Sequence, residues 1–322
     1  MAEKNNSKES NFKKSNLKEG STENSDQSIL IQVLEAEQGN IGVLTLNAEK
    51  TLNSLTIDMV RLLARTLTQW ENDPSICVVV LMGAGDKAFC AGGDVQALYQ
   101  SAINPDDGVC VDAEAFFLDE YQLNYQIHCY EKPIICFGTG FVMGGGLGLL
   151  AGASHRVVSE TTKIAMPEIT IGLFPDVGAT HFLNQIPFNI GYFLALTGAR
   201  INGNDALFCK LADYSIEQSN ISNFITELQK ASWEQDVESN HQLVDELLKF
   251  QTPIDNILLP TSNIQDNLKV LEAVCQQNSL CDTLNAIYQI DDDDKWLKHA
   301  KFTLAAGSPL SSLLIYEQLR RH

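Results

Sequence analysis

Apolar and polar positions alternate along most of the chain in patterns that predict strands and helices in turn. Four apolar runs predict strands, at 29–33, 42–46, 78–81 and 133–137. Two stretches with helical periodicity predict helices, at 57–70 and 114–130. A glycine-rich turn follows each of the last two strands, and a helix comes next along the chain. This order predicts a parallel α/β arrangement whose site lies at the carboxyl ends of the strands.

The pattern changes towards both ends of the chain. Residues 1–27 are mostly Asn, Ser, Lys and Glu with few large apolar groups, which predicts a disordered tail. Residues 28–200 carry the strand-rich pattern and are predicted to form the core, with short strands at 157–158 and 163–165. Helical patterning dominates from residue 179 onward, and residues 201–322 are predicted to form a helical C-terminal region. It predicts four helices, at 181–186, 191–197, 204–210 and 221–230.

The stretch 133–154 carries no charge and approaches the length of a membrane span. It contains many glycines and no continuous aliphatic block, so a buried strand, turn and helix is the preferred interpretation. A second unusual stretch is the acidic run 291–294. It predicts a solvated helix start ahead of Trp296 rather than a metal site, because no matching oxygen ligands follow at EF-hand spacing.

Composition excludes several classes of function. The chain has 322 residues, 44% of them hydrophobic, and a formal net charge of −19, which opposes binding to nucleic acid or anionic membranes. Its eight cysteines show no C-x-x-C spacing, so neither a disulfide framework nor a metal site is expected. The tail has no apolar signal core and no arginine, which predicts a cytoplasmic protein.

Two glycine-rich segments are the first candidate for chemistry. They run from Ala88 to Asp94 (AFCAGGD) and from Phe141 to Gly148 (FVMGGGLG). Backbone N–H groups at such turns let a ligand approach closely, and two of them together can bind one oxyanion. A simple tight turn remains an alternative for the first segment. The triple glycine of the second is stronger, because three glycines at a helix start carry a conformational cost.

Two carboxylates follow these segments. Glu168 lies in the apolar setting AMPEI, where burial raises a carboxyl pKa towards the range useful for proton transfer. Asp176, in LFPDVG, is either a functional group or a helix cap. A serine or cysteine nucleophile is not indicated, because there is no GxSxG motif. Cys90 is interpreted as a small buried hydrophobe.

From about Ser28 to Tyr316 the chain resembles the crotonase (enoyl-CoA hydratase/isomerase) superfamily. The motifs KAFCAGGDV, MGGGLGL, AMPEITIGLFPDVG and LTGARINGNDAL are most similar to its 3-hydroxyisobutyryl-CoA hydrolase branch. The resemblance implies a crotonase-like fold of repeated ββα units with a helical C-terminal region. It also implies an acyl-CoA thioester whose carbonyl oxygen lies between the amides of Gly93 and Gly145. Members of the branch continue for several tens of residues beyond the position that matches Leu319.

The resemblance assigns further roles to residues of this chain. Hydratases of the superfamily carry a first glutamate just after the triple glycine, where this chain has Gly148. The second glutamate matches Glu168, and Asp176 matches the expected partner in the hydrolase branch. The remaining matches are substrate-binding positions: Glu120, Ala91, Val95, Lys50 and Lys87.

These matches imply hydrolysis of a 3-hydroxyacyl-CoA, above all 3-hydroxyisobutyryl-CoA, as in valine catabolism. Glu168 acts either as a general base for water or as a nucleophile, and the sequence leaves both routes open. Two other functions also remain open, an enoyl-CoA isomerase or hydratase-type reaction and an inactive acyl-CoA-binding protein. No cofactor is expected beyond the CoA of the substrate, no metal is expected, and a homo-oligomer is compatible with the resemblance.

Overall fold

The structure is a computed structural model that describes residues 27–251, 259–291 and 293–322. The predicted disordered tail, 1–27, lies outside the described residues except for Gln27. Nearly all the remaining predicted elements are present, with their ends shifted by a few residues.

The described residues form ten strands. They are β1 Ile29–Glu35, β2 Asn40–Leu46, β3 Ile76–Gly83, β4 Ala88–Cys90, β5 Ile134–Gly138, β6 Phe141–Met143, β7 His155–Val158, β8 Lys163–Ala165, β9 Ile201–Asn202 and β10 Tyr214–Ser215. In the first half of the chain the helices are α1 Ile57–Glu71, α2 Val95–Ile103, α3 Val111–His128, α4 Gly145–Gly152, α5 Ala179–Asn184 and α6 Ile190–Thr197.

The described helices of the second half are α7 Gly203–Phe208, α8 Ile221–Lys230, α9 Val237–Gln251, α10 Asn263–Asp266, α11 Leu268–Cys275, α12 Leu280–Tyr288, α13 Lys295–Ala306 and α14 Pro309–Arg321. A short 3-10 helix, Glu168–Ile171, begins after β8. The helical C-terminal region is therefore confirmed for the described residues. The acidic run starts α13 as predicted, because Asp294 accepts hydrogen bonds from the Trp296 and Leu297 backbones.

The strands form two sheets. The larger has the order β1-β2-β3-β5-β7-β10, and the smaller has the order β4-β6-β8-β9. Pairing is parallel from β2 to β10 in the larger sheet and from β4 to β8 in the smaller, with an antiparallel pair at one end of each sheet. The α/β prediction is confirmed.

Three successive strand pairs generate this arrangement. In β3-β4, β5-β6 and β7-β8, the first strand joins the large sheet and the second joins the small one, and helical structure follows. These are the ββα units that the resemblance predicts. Strands β4 and β6 were missed from the sequence because each has only three residues and lies within a glycine-rich segment.

Both faces of the large sheet are covered, which explains its continuous apolar strands. Along β3, Val79 and Leu81 belong to one buried cluster together with residues of α1, α3 and α4, whereas Val78 and Val80 belong to a second. This second cluster includes residues of α8 and α9, which cover the opposite face. The C-terminal helices α11, α13 and α14 pack against α6.

The uncharged stretch 133–154 folds as predicted into buried elements, namely β5, β6 and α4. Within the described part of the chain, no helix has the length and apolar character needed to cross a membrane.

Candidate active site

The two glycine segments meet at one edge of the small sheet. Strands β4 and β6 pair in parallel, so the turns that follow them leave the sheet side by side. A Cβ added at Gly92 would lie 3.2 Å from the Met143 carbonyl oxygen and 3.7 Å from the Gly145 nitrogen. Gly92 and Gly144 also have positive φ angles of 99° and 48°. Glycine is therefore required where the turns approach each other.

Two backbone amides, those of Gly93 and Gly145, lie at these turns. Leu55 donates its N–H to the Gly92 carbonyl at 2.8 Å and accepts the Asp94 N–H at 2.9 Å. These bonds flank Gly93, so the Gly93 N–H points to the opposite side. Gly145 is the first residue of α4, where a helix leaves its N–H without an intrahelical acceptor. Two donors at adjoining turns suit an oxyanion, although the oxyanion role itself stays a prediction.

Helix α3 lies across both turns. Its Phe116 ring packs against Gly93, where an added Cβ would be 2.9 Å from Cζ, and Glu120 follows one turn later. A Cβ at Gly145 would collide with Glu120 Oε1, so only glycine lets this carboxyl reach the second turn. Glu120 is buried, and Oε1 has no hydrogen-bond partner among the described residues. Burial, with the charges of Asp176 and Glu168, raises the pKa of Glu120 to about 8.

Glu168 opens the 3-10 helix that follows β8, and its side chain reaches the same glycine turn. Its Oε1 would be 2.8 Å from a Cβ added at Gly144. The residue is only 6% exposed, and Oε2 has no partner within the described chain. Burial raises the pKa of Glu168 to about 8, the nearby Asp176 adds to this, and the residue's own backbone N–H opposes it. The apolar setting in the sequence predicted this direction.

Asp176 is half-buried and is not a helix cap. Helix α5 begins at Ala179 with Gly178 at its N-cap position, and no side chain caps it. Asp176 Oδ2 instead accepts a hydrogen bond from the Tyr121 hydroxyl at 2.7 Å. Burial raises the pKa of Asp176, and the Tyr121 hydrogen bond partly offsets the increase. The functional interpretation is therefore favoured over the cap.

Three acidic side chains thus converge beside the two amides. Glu120 and Glu168 hold their protons to near neutrality, a property that suits proton transfer. In the described residues, no cluster of histidine, cysteine and acidic side chains could hold a metal ion. Cys90 is fully buried, and burial raises the pKa of its thiol to about 12. Both properties agree with the interpretation of Cys90 as a small core residue.

The residues around Gly148 leave no room for a side chain at this position. An added Cβ would be 2.6 Å from the Val177 Cβ and 2.9 Å from Asn124 Oδ1. Val177 itself has a φ of 42°, which is strained for a β-branched residue. Val177 and Asn124 therefore occupy the space that the side chain of a glutamate at position 148 would need.

The remaining predicted substrate contacts are Ala91, Val95, Lys50 and Lys87. Ala91 is half-buried and donates its N–H to the Leu52 carbonyl at 3.0 Å. Val95 is 49% exposed and begins α2. Lys50, in a short 3-10 helix at Glu49–Thr51, and Lys87, in the bend just before β4, are both exposed. Their contacts with a ligand stay predictions.

Tyr121 and Asn124 were not predicted as site residues from the sequence. They line a cavity of about 430 Å³ with Asp176, Gly148, Phe174 and Val177. Both residues follow Glu120 on α3, at one and four positions along the chain. The helical spacing from Glu120 to Asn124 was a usable signal, because residues four apart share one face. Tyr121 carried no such signal, since its partner is 55 positions away.

A fold of paired strands and facing glycine turns, with buried carboxylates beside them, defines the crotonase class of proteins that the motifs resemble. A family model described as "Enoyl-CoA hydratase/isomerase" matches residues 41–322. The chain belongs to this family.

Curated relatives are similar over different lengths. The 3-hydroxyisobutyryl-CoA hydrolase, mitochondrial, of Gallus gallus is 34% identical over 290 residues, or 89% of this chain and 72% of the relative. The protein of the same name from Xenopus tropicalis is 43% identical over 199 residues, or 61% and 50%. The chain spans about half the length of the Xenopus tropicalis and Danio rerio relatives that it matches.

Among solved structures, a carnitinyl-CoA dehydratase from Mycobacterium thermoresistibile is similar with a TM-score of 0.79 and 35% identity. The similarity covers 92% of this chain and 80% of that chain. The crotonase-like fold is thereby confirmed. The names of these proteins indicate different reactions. The curated relatives are named for hydrolysing a CoA thioester, and the solved structure is named for removing water.

Proposed function

We propose that this protein hydrolyses a 3-hydroxyacyl-CoA thioester, with 3-hydroxyisobutyryl-CoA as its substrate. One observation carries the choice of reaction. Glu168 reaches the glycine turn, while Val177 and Asn124 fill the space at Gly148 that a second hydratase glutamate would need. The names of the Gallus gallus and Xenopus tropicalis relatives support the same substrate.

In the proposed reaction the thioester carbonyl oxygen accepts hydrogen bonds from the Gly93 and Gly145 amides. Negative charge develops on this oxygen as the carbonyl carbon becomes tetrahedral. One such donor contributes about 3 kcal/mol to the transition state in comparable enzymes. The amides are held in place by strand pairing at Leu55 and by the start of α4, so little reorganisation is needed.

Glu168 then acts by one of two routes. As a general base it takes a proton from water while the water oxygen bonds to the carbonyl carbon, and the C–S bond breaks to release CoA. As a nucleophile its carboxylate displaces CoA to form a mixed anhydride, which water then cleaves. In both routes the sulfur leaves as a thiolate and takes up one proton.

Glu120 donates a hydrogen bond to the substrate beside the Gly145 amide, a role supported by its closeness to Gly145 and by its raised pKa of about 8. Asp176, oriented by Tyr121, accepts a hydrogen bond from the substrate hydroxyl. Lys50 and Lys87 contact the CoA phosphates, and Ala91 and Val95 contact the rest of CoA. No cofactor other than substrate CoA takes part.

The proposal includes a cytoplasmic protein that acts on valine-derived thioesters. The Gallus gallus and Xenopus tropicalis relatives carry "mitochondrial" in their names, so the localisation of the tagged full chain is a useful separate measurement. A homo-oligomer is proposed and is testable by light scattering of the purified chain.

A thiol-release assay tests the reaction with three substrates: 3-hydroxyisobutyryl-CoA, 3-hydroxypropionyl-CoA and crotonyl-CoA. Free CoA from the two hydroxyacyl substrates, lost in Glu168→Gln, supports the proposal. Binding of these substrates without CoA release would contradict it and favour an inactive acyl-CoA-binding protein.

One observation favours a second candidate, an enoyl-CoA isomerase or hydratase-type reaction with Glu168 as the sole base. The solved dehydratase covers 92% of this chain with 35% identity. Loss of the crotonyl-CoA absorbance, or migration of a double bond in a longer enoyl-CoA, without CoA release would support that candidate.

A further inference from the structure

The carboxamide of Asn124 has no explained role in the fold. The residue is 8% exposed, and both Nδ2 and Oδ1 lack a hydrogen-bond partner among the described residues. A buried amide without partners costs on the order of 1–3 kcal/mol for each unpaired group. An unpaired side chain at such a position points to a ligand group that pairs with it.

Asn124 lies next to the proposed reaction centre. Helices α3 and α4 contact each other at successive turns: Glu120 meets Gly145, and Asn124 meets Gly148. One helical turn separates the two contacts, about 5.4 Å along the axis. The carbonyl oxygen and the 3-hydroxyl oxygen of the acyl chain are four covalent bonds apart, so an extended acyl group spans slightly less than this distance and lies between the two contacts.

The cavity supplies a second group for the same ligand atom. Asn124, Asp176 and Tyr121 all line it, and Val177 beside Asp176 contacts the same face of Gly148 as Asn124 does. A hydroxyl group donates one hydrogen bond and accepts others. The Asp176 carboxylate, when ionised, only accepts, whereas the Asn124 Nδ2 only donates. Together they are complementary to one hydroxyl.

We propose that Asn124 determines specificity by donating a hydrogen bond from Nδ2 to the 3-hydroxyl group of the acyl chain, which in turn donates to Asp176. This inference rests on the proposed thioester hydrolysis and names the residue that distinguishes hydroxyacyl from plain acyl substrates. Asn124 takes no part in bond breaking. It positions the substrate and discriminates against acyl groups without the hydroxyl.

The test compares 3-hydroxyisobutyryl-CoA with isobutyryl-CoA, which lacks only the hydroxyl. Asn124→Leu keeps the number and branching of the side-chain heavy atoms and removes both polar groups. We expect kcat/KM for the hydroxyacyl substrate to fall about 10-fold or more, and kcat/KM for isobutyryl-CoA to change by less than about 3-fold. Gln122→Leu is the matched control, because Gln122 is exposed on the same helix and lies outside the site. It should change neither value.

Equal losses with both substrates would overturn the proposal, since they would mean that Asn124 supports the fold or a water molecule. No loss with either substrate would also overturn it. Thermal melting of both variants separates unfolding from specificity. Removing a buried unpaired amide should leave Asn124→Leu at least as stable as the unsubstituted protein.

A binding measurement keeps this inference distinguishable from the proposed reaction. Thioether analogues of the two acyl-CoAs cannot be hydrolysed, so their affinities are measurable by calorimetry whether or not the protein turns over. The hydroxyl-bearing analogue should bind more tightly to the unsubstituted protein, and Asn124→Leu should abolish that preference. Absence of CoA release with the preference intact would refute the reaction alone. Absence of the preference would refute the role of Asn124.

Discussion

Replacing Glu168 by Gln should abolish activity and at the same time stabilise the protein. The Glu168 carboxyl is buried, its Oε2 has no partner among the described residues, and Asp176 lies close enough to raise its pKa. The folded protein therefore holds this carboxyl in surroundings that disfavour its ionised form, and this lowers the stability of the fold at neutral pH. Glutamine keeps the size of the side chain and removes its ionisation.

The magnitude follows from the two pKa values. Unfolded Glu168 has its ordinary pKa of 4.5, whereas burial raises the pKa in the folded protein to about 8. Between these values the unfolded chain releases the proton and the folded chain retains it, so the folded state loses stability as pH rises. Each pH unit is worth about 1.4 kcal/mol, which gives on the order of 3 kcal/mol by pH 7. The glutamine amide stays buried, so we expect a net gain of about 1–3 kcal/mol.

Urea unfolding at several pH values measures this effect. The free energy of unfolding of Glu168→Gln should exceed that of the unsubstituted protein by an amount that grows from about pH 5 to about pH 8. Below the ordinary glutamate pKa the difference should shrink, because both states then hold the proton. Glu246→Gln, on an exposed position of α9, provides the matched control and should show no such trend.

Two results would refute the reasoning. The first is a difference below about 0.5 kcal/mol at pH 7, the range of an ordinary surface substitution. The second is a difference that does not depend on pH, which would mean that the gain comes from packing and not from the retained proton.

Three further outcomes follow from single contacts. Gly148→Glu should not create crotonyl-CoA hydration, and its Tm should fall because the new Cβ overlaps Val177 and overpacking costs about 1–3 kcal/mol. Tyr121→Phe should lower kcat/KM about 10-fold. Because the Tyr121 hydroxyl holds the pKa of Asp176 down, that pKa should rise in this variant, which NMR titration of the Asp176 carboxyl carbon measures. Lys210→Gly should raise the free energy of unfolding in urea by about 1 kcal/mol, since Lys210 is exposed with a φ of 58°.

Local patterns in the sequence were sufficient for much of the fold. Apolar runs identified β3 and β5, because strands covered on both faces are apolar throughout. Periodicity identified α1, because it buries one apolar face, and it also identified α3, which packs against α1, α2 and α4. Strands β4 and β6 are short and lie within glycine-rich segments that read as turns, and they exist because they pair with each other.

The sequence by itself determined that two glycine turns and the carboxylates Glu168 and Asp176 belong together, because these residue types are costly unless a close approach or a proton requires them. The tertiary structure alone decided which groups meet. It directs Asp176 to Tyr121 instead of a helix end, and it closes the space at Gly148 with Val177. Such contacts join residues far apart in the chain, so no local pattern encodes them.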